Sequence, residues 1–343
     1  MTTPTVAERK SVREPAPTPA SSFQRPDNDR FGALFEAANL VPEAFRGSDR
    51  YLDVVSWNIR YFHDRDPKRV LEIAEIMAEI NADLFVLQEI REGSLEAVIR
   101  ELAQRGAGFY EAAYGTTGGS QRLAFLYDLD WLRTTDDVRE LFARGEVTTP
   151  EGKDAFPRLP LWGSFTCLPP RRQAGEPFDF QMVGLHLKSQ RTAPEDSDQG
   201  QDQRALAAEA LADWMKREAP KVDSDVILLG DWNQGPTAPE WAPFHQLERQ
   251  GHAAFRRIND DSAISHLLYR NRQDYGSRLD LEALSLAALG QVSGRAAQVI
   301  RWKPLDQLAS QGGAKHLAAF IRDLGEKVSD HMPVLTRFYF TQR

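Results

Sequence analysis

The stretch Ile227-Leu228-Leu229-Gly230-Asp231-Trp232-Asn233 carries the strongest structural signal in the chain. An apolar run ends at a glycine, and a carboxylate and a carboxamide follow with one residue between them. Glycine permits a tight backbone, and the two-residue period of a strand directs Asp231 and Asn233 to the same side. An aspartate after a strand is more often a turn former or a helix cap. A functional interpretation therefore depends on the rest of the chain.

The composition is that of an ordinary globular protein. The 343 residues allow one large or two ordinary domains, and a hydrophobic content of 41% is enough for a large core. The net charge of -8 argues against a generally basic nucleic-acid binder, although a carboxylate-rich cation site is itself acidic. Cys167 is the only cysteine, which excludes an intrachain disulfide and a cysteine-based zinc site. Without a long apolar run or a signal-peptide pattern, we expect a cytoplasmic protein that makes no membrane contact.

Three regions differ in composition. Residues 1–30 are rich in Pro, Ser, Thr and charge, which predicts a disordered tail. Residues 31–50 predict a short helical connector, because apolar residues recur there with helical spacing. We expect it to pack on the main domain rather than to bind a partner. Strands and helices alternate over residues 51–343, which predicts one α/β domain, and its length favours two sheets stacked between helices.

Polar residues stand at or just beyond the ends of the predicted strands. The carboxyl ends of strands are where open α/β sheets place their ligands. Each residue alone has a simpler explanation as a turn former, a helix cap or a buried core histidine. Their joint occurrence is harder to explain in that way and favours a functional site. The residues are Asn58, Glu89, His186, Asp231, Asn233, Asp330 and His331.

These residue types suit the hydrolysis of a phosphoester. Glu89 and Asp330 offer hard oxygen ligands, which fit Mg²⁺ or Mn²⁺ better than zinc. Asp231 could orient or deprotonate water, and the amides of Asn58 and Asn233 could donate to phosphate oxygens. Histidines transfer protons or neutralise developing charge. The chain lacks the nucleophile elbow, the P-loop and the dinucleotide-binding glycine motif, which argues against serine hydrolases, NTPases and dinucleotide oxidoreductases.

Five segments carry these residues: Ser56-Trp57-Asn58-Ile59-Arg60, Leu87-Gln88-Glu89, Gly184-Leu185-His186-Leu187-Lys188-Ser189, Gly230-Asp231-Trp232-Asn233 and Ser329-Asp330-His331-Met332-Pro333-Val334. In this order they resemble the endonuclease/exonuclease/phosphatase superfamily, which includes deoxyribonuclease I and the exonuclease III-type apurinic endonucleases. The resemblance spans residues 51–340. It is specific to the superfamily and far less specific about the substrate. It implies a four-layer α/β sandwich, with two mainly antiparallel sheets packed face to face and helices outside. It also implies metal-assisted cleavage of a phosphoester by an activated water.

The resemblance implies a role for each strand-end residue. Glu89 is similar to the principal metal ligand, with Asn58 beside it and Asp330 as an acid that supports the metal. Asp231 is similar to the residue that positions or deprotonates the water. Asn233 is similar to a ligand of the scissile phosphate.

The resemblance also implies a catalytic histidine and the acid that orients it. His331 is similar to the histidine that contacts the phosphate or acts as a base. Arg278-Leu279-Asp280 resembles the family's Arg-(Ile/Leu)-Asp element, whose acid orients that histidine. A hydrogen bond between Asp280 and His331 is therefore predicted. His186 matches the histidine of the deoxyribonuclease I branch, where some relatives carry tyrosine.

Basic residues are candidates for binding substrate phosphate. Phe156-Pro157-Arg158-Leu159-Pro160 resembles the family's Phe-x-Arg-x-Pro strand start, which makes Arg158 a candidate, although a surface salt bridge explains it nearly as well. Lys188 and Arg278 are further candidates. Arg204 is expected near the same strand end as Lys188 and could also bind backbone phosphates.

The sequence favours one class of substrate without excluding the others. The chain lacks the Trp and Cys of the element that marks inositol polyphosphate 5-phosphatases, and the His-Leu-Lys-Ser segment looks like bacterial nuclease-type members. We therefore predict a nuclease, with DNA favoured over RNA. A phosphatase or phosphodiesterase acting on a small molecule or lipid is the alternative. An inactive binding protein is disfavoured because the site residues are all present. Residues 136–154 and a helical stretch around residues 317–324 are insertions whose role stays open.

Overall fold

The computed structural model of the protein describes residues 40–169, 175–190, 197–256, 264–270, 273–305 and 314–343. The tail predicted for residues 1–30 and the helical pattern at residues 31–38 lie outside these ranges. Within residues 40–50, a 3-10 helix occupies Glu43–Phe45, and Leu40 and Val41 are buried in the core. No helix in the described ranges is long and apolar enough to cross a membrane.

The described ranges contain strands and helices in alternation. In chain order the strands are β1 (Leu52–Phe62), β2 (Leu84–Ile90), β3 (Tyr110–Tyr114), β4 (Arg122–Asp128), β5 (Leu132–Thr134), β6 (Arg139–Glu140), β7 (Leu161–Cys167), β8 (Asp179–His186), β9 (Val226–Asp231), β10 (Ala253–Arg256), β11 (His266–Arg270), β12 (Gln273–Ser277), β13 (Asp280–Ser285), β14 (Gln298–Val299) and β15 (Val334–Phe338). The helices are α1 (Pro67–Ile80), α2 (Leu95–Gln104), α3 (Ser197–Arg217), α4 (Ala242–Arg249), α5 (Leu286–Gly290) and α6 (Ala314–Lys327).

Two large sheets organise these strands. The first has the order β14-β15-β1-β2-β4-β3, and the second has the order β10-β13-β9-β8-β7-β5, with β6 beside β7. The pairs β1–β2 and β8–β9 are parallel, and the other described pairs are antiparallel. A helix connects the strands of each parallel pair, α1 in the first sheet and α3 in the second. The prediction of mainly antiparallel sheets is confirmed.

Alternate residues along the strands pack into different apolar cores. Val55 and Trp57 of β1 lie in the core beneath α1 and α2, whereas Val54 lies in the core between the sheets. On β9, Leu228 lies in the core beneath α3 and α4, and Ile227 faces the first sheet. Three cores separate four layers, which confirms the predicted sandwich.

Local sequence signals place the ends of several elements. The Asp66 carboxylate caps α1 by accepting hydrogen bonds from the backbone N–H of Lys68 (3.1 Å) and Arg69 (3.3 Å). The stretch at residues 317–324 lies within α6, as predicted. Gly230 ends the apolar run of β9 at a positive φ, where a Cβ would collide with the carbonyl oxygen of Leu185 on β8. Only glycine therefore allows this close approach of the parallel strands.

One central strand, β7, has no apolar run to mark it, although the segment at residues 156–160 that resembles the family's strand start lies directly before it. β7 lies between β8 and β5 and is almost wholly buried, but its sequence Leu-Trp-Gly-Ser-Phe-Thr-Cys mixes small, polar and apolar residues without a clear period. The insertion at residues 136–154 contributes the edge strand β6, which pairs with β7.

Candidate active site

The site lies where the two parallel strand pairs end. The Asn58 side chain joins the two sheets there, because its Nδ2 donates to Glu89 Oε1 (3.3 Å) and to Asp231 Oδ2 (3.0 Å). Its Oδ1 accepts a hydrogen bond from the backbone N–H of Arg60 (2.9 Å). Asn58 therefore links the Glu89 carboxylate of the first sheet to the Asp231 carboxylate of the second.

The ends of β1 and β2 are irregular around Glu89. The register of the pair shifts between Asn58 and Phe62, and Arg60, Tyr61 and Glu89 have φ of 33°, 49° and 61°. Bulges of this kind redirect side chains and are frequent beside active sites. The backbone N–H of Tyr61 donates to Glu89 Oε2 (3.0 Å). This irregularity holds the Glu89 carboxylate at the junction of the two sheets.

The predicted hydrogen bond between Asp280 and His331 is present. Asp280 Oδ2 lies 2.9 Å from His331 Nδ1, and both side chains are buried. Burial opposes protonation of the imidazole, but the carboxylates of Asp280, Asp231 and Asp330 outweigh it and raise the pKa of His331 to about 10. An imidazolium at this position can donate to a phosphoryl oxygen through Nε2.

Asp231 lies at the centre of the site. Pairing of β13 with β9 sets it opposite Asp280, and its Oδ2 is 3.8 Å from His331 Nε2. Burial raises the pKa of Asp231 to about 7; Asp280 adds to the shift, whereas His331 and a hydrogen bond from Asn58 oppose it. A carboxylate that titrates near neutral pH is suited to accept a proton from water.

His186 lies beside both acids of the site. Its Nε2 is 3.6 Å from Asp231 Oδ2 and 3.9 Å from Glu89 Oε1. Burial, with smaller effects from Arg158 and His331, lowers the pKa of His186 well below its ordinary value, so the ring is neutral at pH 7. Nδ1 is buried without a hydrogen-bond partner among the residues described.

The predicted phosphate ligands differ in their surroundings. The Asn233 amide donates to the Leu187 carbonyl (3.0 Å), and its second amide proton is available to a ligand. Arg158 is half-buried and donates to the carbonyls of His186 (3.2 Å) and Leu187 (2.8 Å). Arg158 thus holds the strand end that carries His186, and phosphate contact by its side chain stays a prediction. Lys188 and Arg278 are half-buried, and for them too phosphate binding stays a prediction.

Arg204 lies near the strand end that carries Lys188, as expected, but its guanidinium is not available to phosphate. Its guanidinium is buried and pairs with Glu240 Oε1 at 2.9 Å, while a further N–H donates to the Lys188 carbonyl (3.1 Å). The expectation that Arg204 binds substrate phosphate is wrong, because its charge is already neutralised inside the protein. Glu240 lies 36 residues away in the chain, and this pairing has no local sequence signal.

One site residue, His266, was not predicted. It lies on the hairpin of β11 and β12, and its Nε2 is 3.7 Å from Asp330 Oδ2. The His266 and His331 ring centroids are 4.7 Å apart. No apolar run ends at His266, so the strand-end pattern could not reveal it. Asp330 also lies 3.7 Å from Arg60 Nε, and although burial alone would raise the pKa of Asp330, its cationic and histidine neighbours lower it.

The donor set fits a divalent metal. Ligand atoms of His266, Asp330 and His331 lie within 4.8 Å of one another, and within the described ranges this is the only such cluster of histidine, cysteine and acidic residues. Nδ1 of His266 faces Ser277 Oγ at 2.9 Å, and Nδ1 of His331 faces Asp280. The Ser277 partner at Nδ1 leaves His266 Nε2 for a metal, as in many metal sites, whereas His331, kept protonated by Asp280, could bind a metal only after losing its proton. Mixed oxygen and nitrogen donors suit Mn²⁺ better than Mg²⁺, which prefers oxygen ligands.

Residues 55–331 match the model of the Endonuclease/Exonuclease/phosphatase family. Similar solved structures include a family protein from Bacteroides thetaiotaomicron, at 17% identity and a TM-score of 0.55, which covers 84% of this chain and 98% of its own. The catalytic domain of human Nocturnin, at 15% identity and a TM-score of 0.51, covers 85% of this chain and 95% of its own. TDP2 from C. elegans, at 15% identity and a TM-score of 0.50, covers 87% and 77%. No curated protein sequence matches the chain. These structural likenesses confirm the fold.

Proposed function

Because the chain belongs to the endonuclease/exonuclease/phosphatase family, we propose that it hydrolyses phosphodiester bonds of nucleic acid, DNA in preference to RNA, with Mg²⁺ or Mn²⁺ as cofactor. The observation that carries the proposal is the close grouping of three functions. Glu89 offers a metal ligand, Asp231 a proton acceptor, and the Asp280–His331 pair a cation. All three lie where the parallel strand pairs of the two sheets end.

Each residue contributes a separate part of the chemistry. When bound, a divalent cation polarises a phosphoryl oxygen and lowers the pKa of bound water. Asp231, with a pKa of about 7, takes a proton from the attacking water. His331, kept protonated by Asp280, donates from Nε2 to the oxygen on which negative charge develops. Asn58 keeps the Glu89 and Asp231 carboxylates in a fixed relation.

A plasmid assay tests this function directly. Supercoiled DNA is incubated with the protein in Mg²⁺ or Mn²⁺, with and without EDTA. The Asp231→Asn protein, purified identically, controls for contaminating nucleases. We expect nicking that EDTA abolishes and that the variant loses. Equal nicking by the variant and the wild type would show that the cleavage does not come from this site.

A second candidate is a phosphatase or phosphodiesterase for small phosphoesters. The net charge of -8 favours it, because an acidic protein does not attract a polyanion over long range. The same preparations are assayed with p-nitrophenyl phosphate and bis(p-nitrophenyl) phosphate. Release from the monoester that depends on Asp231, together with intact plasmid, would replace the nuclease proposal with this one.

A further inference from the structure

We infer that Tyr61 is a substrate-binding residue that stacks on a nucleobase next to the cleaved phosphate. This inference rests on the proposed function and names a contact by which the site distinguishes a nucleotide from other phosphoesters. The combination of an exposed ring, a strained backbone and a place beside Glu89 carries it.

Tyr61 is exposed where its neighbours are buried. Its exposed fraction is 56%, whereas Trp57 and Phe62 of the same strand are completely buried. Its own backbone N–H holds Glu89 Oε2 at 3.0 Å. The Tyr61 side chain therefore belongs to the residue whose backbone contacts the predicted metal ligand, Glu89.

The backbone that presents this ring is strained. Arg60 and Tyr61 are consecutive non-glycine residues with φ of 33° and 49°, a conformation that tyrosine rarely adopts. Arg69 of α1 holds them there, since its guanidinium donates to the carbonyls of Ile59 (2.6 Å), Arg60 (2.6 Å) and Tyr61 (3.4 Å). Strain that persists because the surroundings enforce it is concentrated at ligand sites.

The contacts of Glu89 place Tyr61 beside the site. Glu89 Oε2 accepts from the Tyr61 backbone N–H, while its Oε1 lies 3.3 Å from Asn58 Nδ2 and 3.9 Å from His186 Nε2. An exposed aromatic ring at the edge of a phosphoesterase site can stack against a planar group of the substrate.

Nucleobases are the partners that this chemistry fits. Every base has a π face, and stacking of one base on an aromatic side chain contributes on the order of 5-fold to 150-fold in affinity. Such stacking tolerates changes of sequence. Tyr61 would therefore favour nucleotides over inositol phosphates or lipid headgroups without selecting one base.

Variants of Tyr61 separate the ring from the backbone. Tyr61→Phe keeps the ring, Tyr61→Ala removes it, and Tyr61→Gly removes it while suiting the positive φ. Phe109→Ala is the matched control, because Phe109 is an exposed aromatic residue, at 61%, on the loop before β3. Two substrates are compared, both single-stranded or both double-stranded according to which form the wild type cleaves. One is an intact oligonucleotide, and the other is the same oligonucleotide with abasic sites on both sides of the mapped cleavage position.

We expect Tyr61→Ala and Tyr61→Gly to lower kcat/KM on the intact oligonucleotide by about 5-fold to 150-fold. Tyr61→Phe and Phe109→Ala should match the wild type. On the abasic substrate all the proteins should be alike, and half-saturation by Mg²⁺ should not change. Equal losses on both substrates, or no loss on the intact one, would overturn the assignment of Tyr61 alone. If the wild type cuts neither substrate nor plasmid, the proposed function fails and the stacking role falls with it.

Discussion

The two parallel strand pairs share a topology and differ at their ends. In β1–α1–β2 the strand register shifts after Asn58. Tyr61 on β1 and Glu89 on β2 both have positive φ at this irregular end of the pair. In β8–α3–β9 the pairing is regular up to His186 opposite Asp231, and both side chains are buried. The same unit thus produces an accessible half, for which we propose metal and substrate binding, and a buried half in which proton affinities are shifted. Burial is what separates the two chemistries.

The largest expected effect is in the buried half. Asp231→Asn is nearly isosteric and keeps a partner for Asn58, but it cannot accept a proton. We expect the single-turnover cleavage rate to fall by a factor on the order of 10²–10⁴. The thermal unfolding midpoint is measured in parallel to show that the fold survives. A folded variant with the wild-type rate would remove Asp231 from the proton transfer.

A second change tests the His331 imidazolium, which lies against the buried half at Asp231. Asp280→Asn removes the carboxylate that, with Asp231 and Asp330, outweighs burial and raises the pKa of His331. His331 should then lose its proton at lower pH, so the alkaline limb of kcat/KM should move down from about pH 10. We expect a loss on the order of 10²-fold at pH 8. An unchanged alkaline limb would contradict the role of this pair.

The pH profile of the wild type sharpens the contrast between the halves. Burial raises the pKa of Asp231 to about 7, and only the ionised carboxylate accepts a proton. Activity should therefore decline as pH falls through about 7. A cation favours the charged carboxylate, so saturating Mg²⁺ should move this acid limb to lower pH. The limb is measured as kcat/KM at low and high Mg²⁺, and a limb that ignores Mg²⁺ would separate Asp231 from the metal.

The accessible half should respond to metal and not to pH. Glu89→Gln retains an oxygen that can accept from the Tyr61 N–H and removes the charge that attracts the cation. We expect the Mg²⁺ concentration for half-maximal activity to rise about 10-fold to 100-fold. An unchanged metal titration would refute the ligand role of Glu89.

The smallest effect is expected at His266. Imidazole prefers Mn²⁺ to Mg²⁺, so His266→Asn should lower activity in Mn²⁺ by up to about tenfold and in Mg²⁺ by less. Activity in the two metals is compared at saturation. Equal losses would assign His266 to packing against His331 rather than to the metal.

The sequence predicts this fold better than it predicts the details of the site. Apolar runs that end in polar residues are local signals, and they locate β1, β2, β8 and β9 together with Asn58, Glu89, His186 and Asp231. The Asp280–His331 hydrogen bond came from the resemblance, since residues 51 positions apart carry no periodic signal. The positive φ of Tyr61 has no signal in the sequence, because glycine is the residue that usually indicates this conformation. Arg204 was misassigned because its partner Glu240 is brought close only by folding.

The most direct test of the division between the halves is the Mg²⁺ dependence of kcat/KM at several pH values. It is measured for the wild type, Glu89→Gln and Asp231→Asn on one oligonucleotide. We expect Glu89→Gln to raise the half-saturating Mg²⁺ concentration and to keep the acid limb near pH 7. Asp231→Asn should abolish that limb and, because the cation and the Asp231 charge favour each other equally, weaken half-saturation by Mg²⁺ only by the factor by which Mg²⁺ lowers the Asp231 pKa, which should be less than the change in Glu89→Gln. If both variants change metal affinity and pH dependence alike, the two halves act as one unit, which would contradict their division.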